Sequence, residues 1–589
     1  MLLTPLDWAI VAASIVVAFV PALLLARRAG SSTAEFFTSG QAAPWWLVGV
    51  SLVATTFSTD TPNLVANLVR EGGVAANWAW WAFLLTGMTT VFFYARLWRR
   101  LGVLTDLEFY EMRYSGRAAT LVRGFRAVYL GLLFNCVIMA TVNLAAAKIA
   151  NVLLGWPMGQ TLLVCAVLNV AFAATSGLWG VMVADMIQFG IAMTGSIAAA
   201  YYALQQPQVG GLAGLMRQID PKTLRLLPDP SDWGTFLTLL LIPITVQWWS
   251  VWYPGAEPGG GSYVAQRMLA SKSEKDAVWG TLLFNAAHYA LRPWPWIIVA
   301  LASMLVYPTL DDIGRALPHV DRSLIGHDMA YPAMLRFLPP GMMGLMVAGL
   351  LAAYVSTIAT HLNWGTSYVV HDLYRRFLKP GESEAHYVLV GRLVTAGLMV
   401  VAGLLTFVLE TAQASFNLLL SVGAGTGLLY LLRWFWWRIN AWSEIAAMVS
   451  SFVVAAGFFI AGRQGAGIPA HVTLLVSIAI TTVVWLGVTW LTQPTDQSVL
   501  IRFYRRVRPA GPGWGPVARV AGQTAASDSL GAPLLASISG CAAIYGALFA
   551  TGACLYGQIG AAVVYGAVSV AGAVGVARLL PRVMASEAP

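Results

Sequence analysis

Charged side chains are scarce in this sequence. Asp, Glu, Lys and Arg together make up only 10% of its 589 residues. Water-soluble domains carry about 25%, so a string of ordinary soluble domains is excluded, and a disordered or nucleic-acid-binding chain more firmly still. Cysteine is scarce too. Cys136, Cys165, Cys541 and Cys554 all fall inside apolar runs and form no CxxC pair. Small packing residues account for them more simply than a disulfide or a metal site, and they point to no redox compartment. There is no GxxxxGK[ST] phosphate loop, and no connection between apolar runs is long enough for a separate soluble domain. An ATP-driven pump is therefore disfavoured, as is a sensor that needs an appended signalling module. Strands alternating apolar and polar residues over about 10 positions, the mark of an outer-membrane barrel, are also missing.

Apolar sequence is what the chain has in quantity: 58% of residues are hydrophobic and the mean hydropathy is +0.70. A helix crosses a bilayer with about 20 apolar residues. That rule predicts spans near 6–26, 45–69, 77–97, 127–152, 159–177, 179–204, 234–253, 278–307, 341–371, 387–409, 413–434, 441–462, 470–492, 532–555 and 558–578. The total is fifteen, or thirteen if the last two form a re-entrant pair. The first span is not expected to be a cleavable signal, because no basic residue precedes it and Arg27-Arg28 follow it. Basic residues favour the cytoplasmic side. With each residue assigned to its nearer connection, 24 of the 35 Lys and Arg fall on the odd-to-even connections and the C-terminal tail. Eight fall on the opposite side, and Lys148, Arg292 and Arg392 lie within spans. The expectation is a multi-pass protein of the cell membrane with its N-terminus outside and its C-terminus in the cytoplasm. The longest connections are 98–126, 205–233, 308–340 and 493–531. The last contains Arg502, Arg505, Arg506 and Arg508 and reads as an interfacial helix on anionic lipid or a plain topology anchor.

Two spans are broken. Thr55-Thr56-Phe57-Ser58-Thr59-Asp60-Thr61-Pro62-Asn63 interrupts the second, and Pro254-Gly255-Ala256-Glu257-Pro258-Gly259-Gly260-Gly261 ends the seventh. Proline removes a helix hydrogen bond and disfavours helix just before it. Irregular backbone at membrane depth is tolerated where it lines a cavity or is buried in protein. Spans two to six and seven to eleven make two groups of five, each opening on a broken helix. An odd number per group gives them opposite orientation, and interrupted helices at matching positions of two halves point to a transporter binding site. A plain cytoplasmic loop is the alternative for the second break.

The ninth span contains Ala353, Ser356 and Thr357 at i, i+3 and i+4, on one helix face. Two hydroxyls and a main-chain carbonyl are hard neutral oxygens, which suit a hard cation. Hydroxyls bonding back to carbonyls of their own helix are the competing account.

Several stretches resemble the sodium:solute symporter family, whose bacterial members include proline, sialic acid and sugar symporters. They are Trp45 through Ala54; Ser176-Gly177-Leu178-Trp179-Gly180-Val181 with Ala184-Asp185-Met186-Ile187-Gln188; Tyr263-Val264-Ala265-Gln266-Arg267 with Ala270-Ser271-Lys272; and Asn363 through His371-Asp372-Leu373-Tyr374. The resemblance covers residues 5–495. It implies an all-α polytopic membrane protein with the LeuT-type five-plus-five inverted repeat and extra helices at both ends. The expected layout is 1–44 for an extra helix and loop, 45–204 for the first repeat and 234–437 for the second. Additional helices follow at 438–492, a basic interfacial segment at 493–531 and a helix pair with tail at 532–589. The resemblance further implies a sodium site from the carbonyls of Ala54, Phe57 and Ala353 with the hydroxyls of Ser356 and Thr357. It places Asp185 near an ion exit path, where a helix-end cap is the alternative.

The solute is not fixed by these motifs. By the resemblance, sugar-transporting members hold hexose hydroxyls with a Glu in the third span and a Gln in the eleventh, where this chain has Ala79 and Leu420. Each unpaired hydroxyl would cost about 1–3 kcal/mol, which disfavours a hexose. Ionisable groups at membrane depth are functional candidates. The candidate solute residues are Thr56, Asp60 and Thr61 at the first break, Trp252 and Glu257 at the second, and Tyr289 and Arg292 in the eighth span. The acid Glu257 and the base Arg292 facing one pocket would suit a zwitterion such as an amino acid or a betaine. Glu257 and Arg292 facing water, or pairing with each other, is the alternative. The tryptophans and tyrosines of 248–253 are either a cation–π wall or interfacial belt residues. The expected partners are sodium, a small polar solute and the bilayer, with no nucleic acid. A membrane-embedded enzyme using His288 or His361 as base has no nucleophile or metal motif behind it. Proton coupling stays open, although a site of neutral oxygens favours a metal cation.

Overall fold

In a computed structural model, residues 3–253, 255–318, 320, 322, 325–409, 423–465, 467–522 and 530–585 are described. Among them the regular structure is helical, and ten helices are long and apolar enough to cross a membrane. In chain order the main elements are α1 (Pro5–Leu24), α2 (Trp45–Thr55), α3 (Asp60–Gly72), α4 (Gly116–Leu154), α5 (Met158–Leu204), α6 (Ser262–Ala270), α7 (Glu274–Val306) and α8 (Met342–Leu378). They continue with α9 (Glu384–Thr406), α10 (Gly427–Phe435), α11 (Ala441–Arg463), α12 (Ala470–Leu491), α13 (Gln497–Val507), α14 (Gly531–Leu555) and α15 (Ile559–Ala585). Shorter helical segments build 74–101 and 233–250. The expected eleventh span, with Leu420, lies partly outside the described residues.

Both breaks are present, the first shorter than the stretch 55–63 and the second starting before Gly255. Residues 56–59 separate α2 from α3, and residues 251–261 separate the seventh span from α6. Pro62 sits in the first turn of α3, where a missing N–H leaves no bond unmade. α5 is 47 residues long but turns at Gly177 (φ 56°), a left-handed conformation that glycine adopts without a Cβ penalty. The two predicted spans on either side of that glycine are thus its two arms.

Close helix approach, not apolar burial alone, organises the interior. α8 packs along α5, and α2 along α7. A Cβ on Gly349 of α8 would lie 3.0 Å from the Ala192 Cα, and one on Gly49 of α2 would lie 2.8 Å from the Gly280 carbonyl. Small residues at such crossings let helix backbones touch in a lipid environment, where apolar side chains gain nothing by leaving the tails. The outward faces of α9, α11, α12, α14 and α15 carry exposed Leu, Val, Ile and Phe, as helices against lipid do. α13 buries Leu500, Phe503, Tyr504 and Val507 against the protein and leaves Arg502, Arg505, Arg506 and Arg508 exposed.

Candidate functional site

The broken helix meets α8 where the hydroxyl pair sits. Thr357 donates its hydroxyl proton to the Thr55 carbonyl at 2.7 Å and lies 3.0 Å from the Ala353 carbonyl of its own helix. Thr55 and Thr360 bond hydroxyl to hydroxyl at 2.9 Å. Back-bonding within α8 and contact with the unwound segment therefore coexist at Thr357. Ser356 differs, because its hydroxyl is buried beside the Asp185 carboxylate and makes no well-formed hydrogen bond, a costly state unless a ligand satisfies it. Ala54, Phe57, Ala353, Ser356 and Thr357 are each at most 3% exposed. These residues offer buried hard oxygens of the kind an alkali cation takes, although the Ala54 carbonyl also accepts the Phe57 N–H at 3.0 Å. Among the described residues no group of three or more His, Cys, Asp or Glu could hold a metal ion.

Asp185 of α5 lies against the same junction. It accepts a 2.6 Å bond from Ser51 of α2, its other oxygen has no hydrogen-bond partner, and the residue is fully buried. Arg267 of α6 donates to Thr360 at 2.6 Å and reaches Ser51 at 3.4 Å. This guanidinium links α6 to both helices of the junction, and spacing alone did not reveal it.

Beside the junction is a cavity of about 100 Å³ whose lining includes Thr55, Thr56 and Thr357. A water needs about 10–15 Å³ on this measure, so there is room for a small organic molecule. Five of the seven candidate solute residues, Thr56, Asp60, Thr61, Tyr289 and Arg292, line it. The walls are aromatic: Trp80 stacks on Tyr289 with ring centres 5.8 Å apart, and Phe83 on Tyr253 at 5.5 Å. His361 and Tyr263 complete one side, edge to face at 5.2 Å.

Arg292 reaches the cavity through a local slip of the helix. Pro293 offers no N–H, and the ladder just before it shifts, so that the Arg292 N–H bonds the Ala287 carbonyl five residues back at 3.3 Å. The resulting π-turn, Ala287–Leu291, is the type of insertion often found at functional sites. The Arg292 side chain donates to the Thr56 carbonyl, to the Thr56 hydroxyl at 3.2 Å and to the His288 ring. Asp60 supplies the acid: one of its carboxylate oxygens is buried and has no hydrogen-bond partner. One carboxylate and one guanidinium thus share an aromatic box.

Trp252 and Glu257 are not brought to the cavity. Val251 is extended (φ −110°, ψ 137°), and successive side chains then alternate sides. Tyr253 enters the cavity, whereas the Trp252 indole N–H turns away to Glu257 Oε2 at 2.6 Å. Glu257 faces Arg126 at 3.6 Å and Arg433 at 4.0 Å, and does not pair with Arg292. The sequence reasoning missed Trp80, Phe83 and Tyr263. Trp80 and Phe83, at i and i+3, are legible as one helix face, and Tyr263 opens the 263–267 stretch that resembles the family.

Residues 36–453 match the model of the sodium:solute symporter family. A sodium/glucose cotransporter of Vibrio parahaemolyticus is 26% identical over 442 residues, which cover 72% of this chain and 79% of that protein. Sodium/glucose cotransporter 2 of Rattus norvegicus is 23% identical over 408 residues, covering 64% of this chain and 59% of that protein. Among solved structures, a Na+-coupled sialic acid symporter in a substrate-bound outward-open state aligns with a TM-score of 0.64 at 18% identity, over 84% of this chain and 99% of that one. The fold is the LeuT-type five-plus-five inverted repeat that the two breaks predict.

Proposed function

The chain belongs to the sodium:solute symporter family, a transporter and not an enzyme, with Na+ as its coupling ion; on that premise we propose that it imports a small zwitterion, an amino acid or a betaine, by alternating access. Na+ binds the carbonyls of Ala54, Phe57 and Ala353 and the hydroxyls of Ser356 and Thr357. It joins the end of α2 to α8, and so orders residues 56–59, which form one wall of the solute cavity. Asp60 and the aromatic walls take the ammonium end, and Arg292 the carboxylate end. Asp185 lies on the route by which the ion leaves. The protein sits in the cell membrane with its N-terminus outside and its C-terminus in the cytoplasm, and 45–204 and 234–437 are the two repeats.

The observation that carries this reading is the presence of Asp60 and Arg292 in one aromatic cavity that also includes Thr55 and Thr357 of the ion junction. A cation and a solute are coupled only when both favour the same conformation, and this shared wall supplies the means. The names of the sugar-transporting relatives favour a second reading, a hexose. Against it stand the charges in the cavity and the missing acid at Ala79, whose own carbonyl is taken by Gln247.

A thermal-shift screen on purified protein separates the two. Amino acids, betaines and hexoses are each tested in Na+ and in choline. The expected result is Na+-dependent stabilisation by a zwitterion and none by glucose or galactose. Na+-dependent stabilisation by a hexose alone would refute the zwitterion.

A further inference from the structure

Behind the second break lies a buried ionic cluster that the solute reading leaves without a role. Its acids are Asp106, Glu257 and Glu444, and its bases Arg113, Arg126 and Arg433, all at most 6% exposed. The charges are equal in number, yet the central contacts are loose. Glu257 Oε1 sits 3.6 Å from Arg126 and 4.0 Å from Arg433 and makes no hydrogen bond. The Nε atoms of Arg126 and Arg433 and Oε2 of Glu444 also lack hydrogen-bond partners. Buried pairs elsewhere in the chain are tight: Lys148–Asp328 and Arg123–Asp372 are both 2.7 Å. Loose geometry recovers little of what burying the charges costs, and the two arginines are held instead by the hydroxyls of Tyr430 and Tyr110.

The segment bearing Glu257 is rich in glycine. Gly255, Gly259 and Gly260 all have positive φ, at 82°, 80° and 72°, so the backbone turns repeatedly within six residues without a Cβ to resist it. In this structure the segment is pinned from three sides. Trp252 and Ser262 donate to Glu257 Oε2 at 2.6 and 3.0 Å, Arg126 reaches in from α4, and Arg433 from α10. The Gly259 backbone also packs against the Tyr430 carbonyl of α10, only 3.0 Å from where a Cβ would stand. Gly255 and Ala256, just before Glu257, line the solute cavity.

We infer that Glu257, held between Arg126 and Arg433, is a latch that closes the cytoplasmic exit of the cavity and must open once per transport cycle. It rests on the alternating-access reading and on the orientation proposed above, but not on the identity of the solute. Glu257 is a positioning residue: it holds the glycine-rich segment against α4 and α10, and touches neither solute nor ion.

The test uses a single reporter, Ile138→Cys on the cavity wall, in a Cys541→Ala, Cys554→Ala background that removes the two free cysteines that are not buried. A membrane-impermeant maleimide is applied in Na+ to inside-out and right-side-out vesicles, with no solute present. Glu257→Gln is expected to raise labelling from the cytoplasmic face by about tenfold or more, the response of a two-state equilibrium to loss of a contact made in one state only. Labelling from the outer face falls at the same time. The exchange Arg126→Glu with Glu257→Arg returns both rates towards those of the parent. Na+-dependent thermal stabilisation shows that each variant is folded. If Glu257→Gln does not fold, Trp252→Phe keeps every charge, removes the 2.6 Å bond, and is expected to give a smaller rise of the same sign. Parental labelling from the cytoplasmic face in a folded Glu257→Gln or Trp252→Phe protein overturns the latch. A rise from the outer face alone overturns its cytoplasmic placement. Neither result bears on which solute stabilises the protein in the screen, so the two proposals fail separately.

Discussion

Ser356 separates a sodium ligand from an ordinary core serine, because the two roles predict opposite signs. Its hydroxyl is buried beside the Asp185 carboxylate and makes no well-formed hydrogen bond. An unsatisfied buried polar group costs about 1–3 kcal/mol, so Ser356→Ala should leave the Na+-free protein as stable as the parent or more stable, by about 1 kcal/mol. In Na+ the same change removes an oxygen from the ion. Hydrogen bonds to charged groups are worth about 1.5–3 kcal/mol, and an ion–dipole contact of similar strength lost here weakens Na+ binding roughly 10- to 100-fold at 1.4 kcal/mol per decade. The neighbouring residue is the control. Thr357→Ala also weakens Na+ binding, but it removes the 2.7 Å bond to the Thr55 carbonyl. It should therefore destabilise the protein in choline by about 1 kcal/mol. The assay is thermal unfolding followed by the fluorescence of the 24 tryptophans, titrated with NaCl against choline chloride at constant ionic strength. A Ser356→Ala protein that is less stable in choline, with an unchanged Na+ midpoint, would refute the argument.

Asp60→Asn should abolish most of the solute-dependent shift, about tenfold or more in affinity, while Na+ alone still stabilises the protein; the same thermal titration reads both. Arg292→Lys keeps the charge but loses the planar fork that spans Thr56 and His288, so solute affinity should fall about tenfold, measured by isothermal titration. Gly365→Ala would press a Cβ to 2.2 Å from Asn135 Nδ2 and 2.7 Å from the Gly131 carbonyl, and overpacking of this kind costs about 1–3 kcal/mol, seen as a lower unfolding temperature. Phe503→Ala at the buried face of α13 should cost about 3–5 kcal/mol by the same measurement, whereas Arg502→Ala on its exposed face should leave the unfolding temperature unchanged.

Much of this architecture is written locally in the chain. Span positions follow from apolar run length, which is why residues 441–462 and 470–492 read from hydropathy coincide closely with α11 and α12. The first break was legible because Pro62 and a run of hydroxyls stand inside an otherwise apolar helix. The pairing of α2 with α8 was legible only through the family resemblance, since no spacing rule brings Thr55 to Thr357. The partition of charges was not legible at all. Glu257 and Asp60 are both acids in broken helices, and which one faces the cavity depends on the extended backbone at Val251, a detail that composition does not encode. Arg126 and Arg433 lie at the ends of apolar runs, where the sequence does not set them apart from other basic residues. Their burial around Glu257 comes from tertiary packing across more than 300 residues of sequence.

The central claim is that the Na+ gradient drives the solute, and uptake into proteoliposomes measures it. The solute identified by the screen is supplied outside, with a potential of about 100 mV, negative inside, and Na+ or choline as the external cation. One elementary charge crossing that potential supplies roughly 2.3 kcal/mol. The account predicts accumulation of a neutral zwitterion by roughly 40-fold for each Na+ carried, and equilibration only in choline. Equal accumulation in Na+ and choline, or accumulation that follows an imposed proton gradient without Na+, would contradict it.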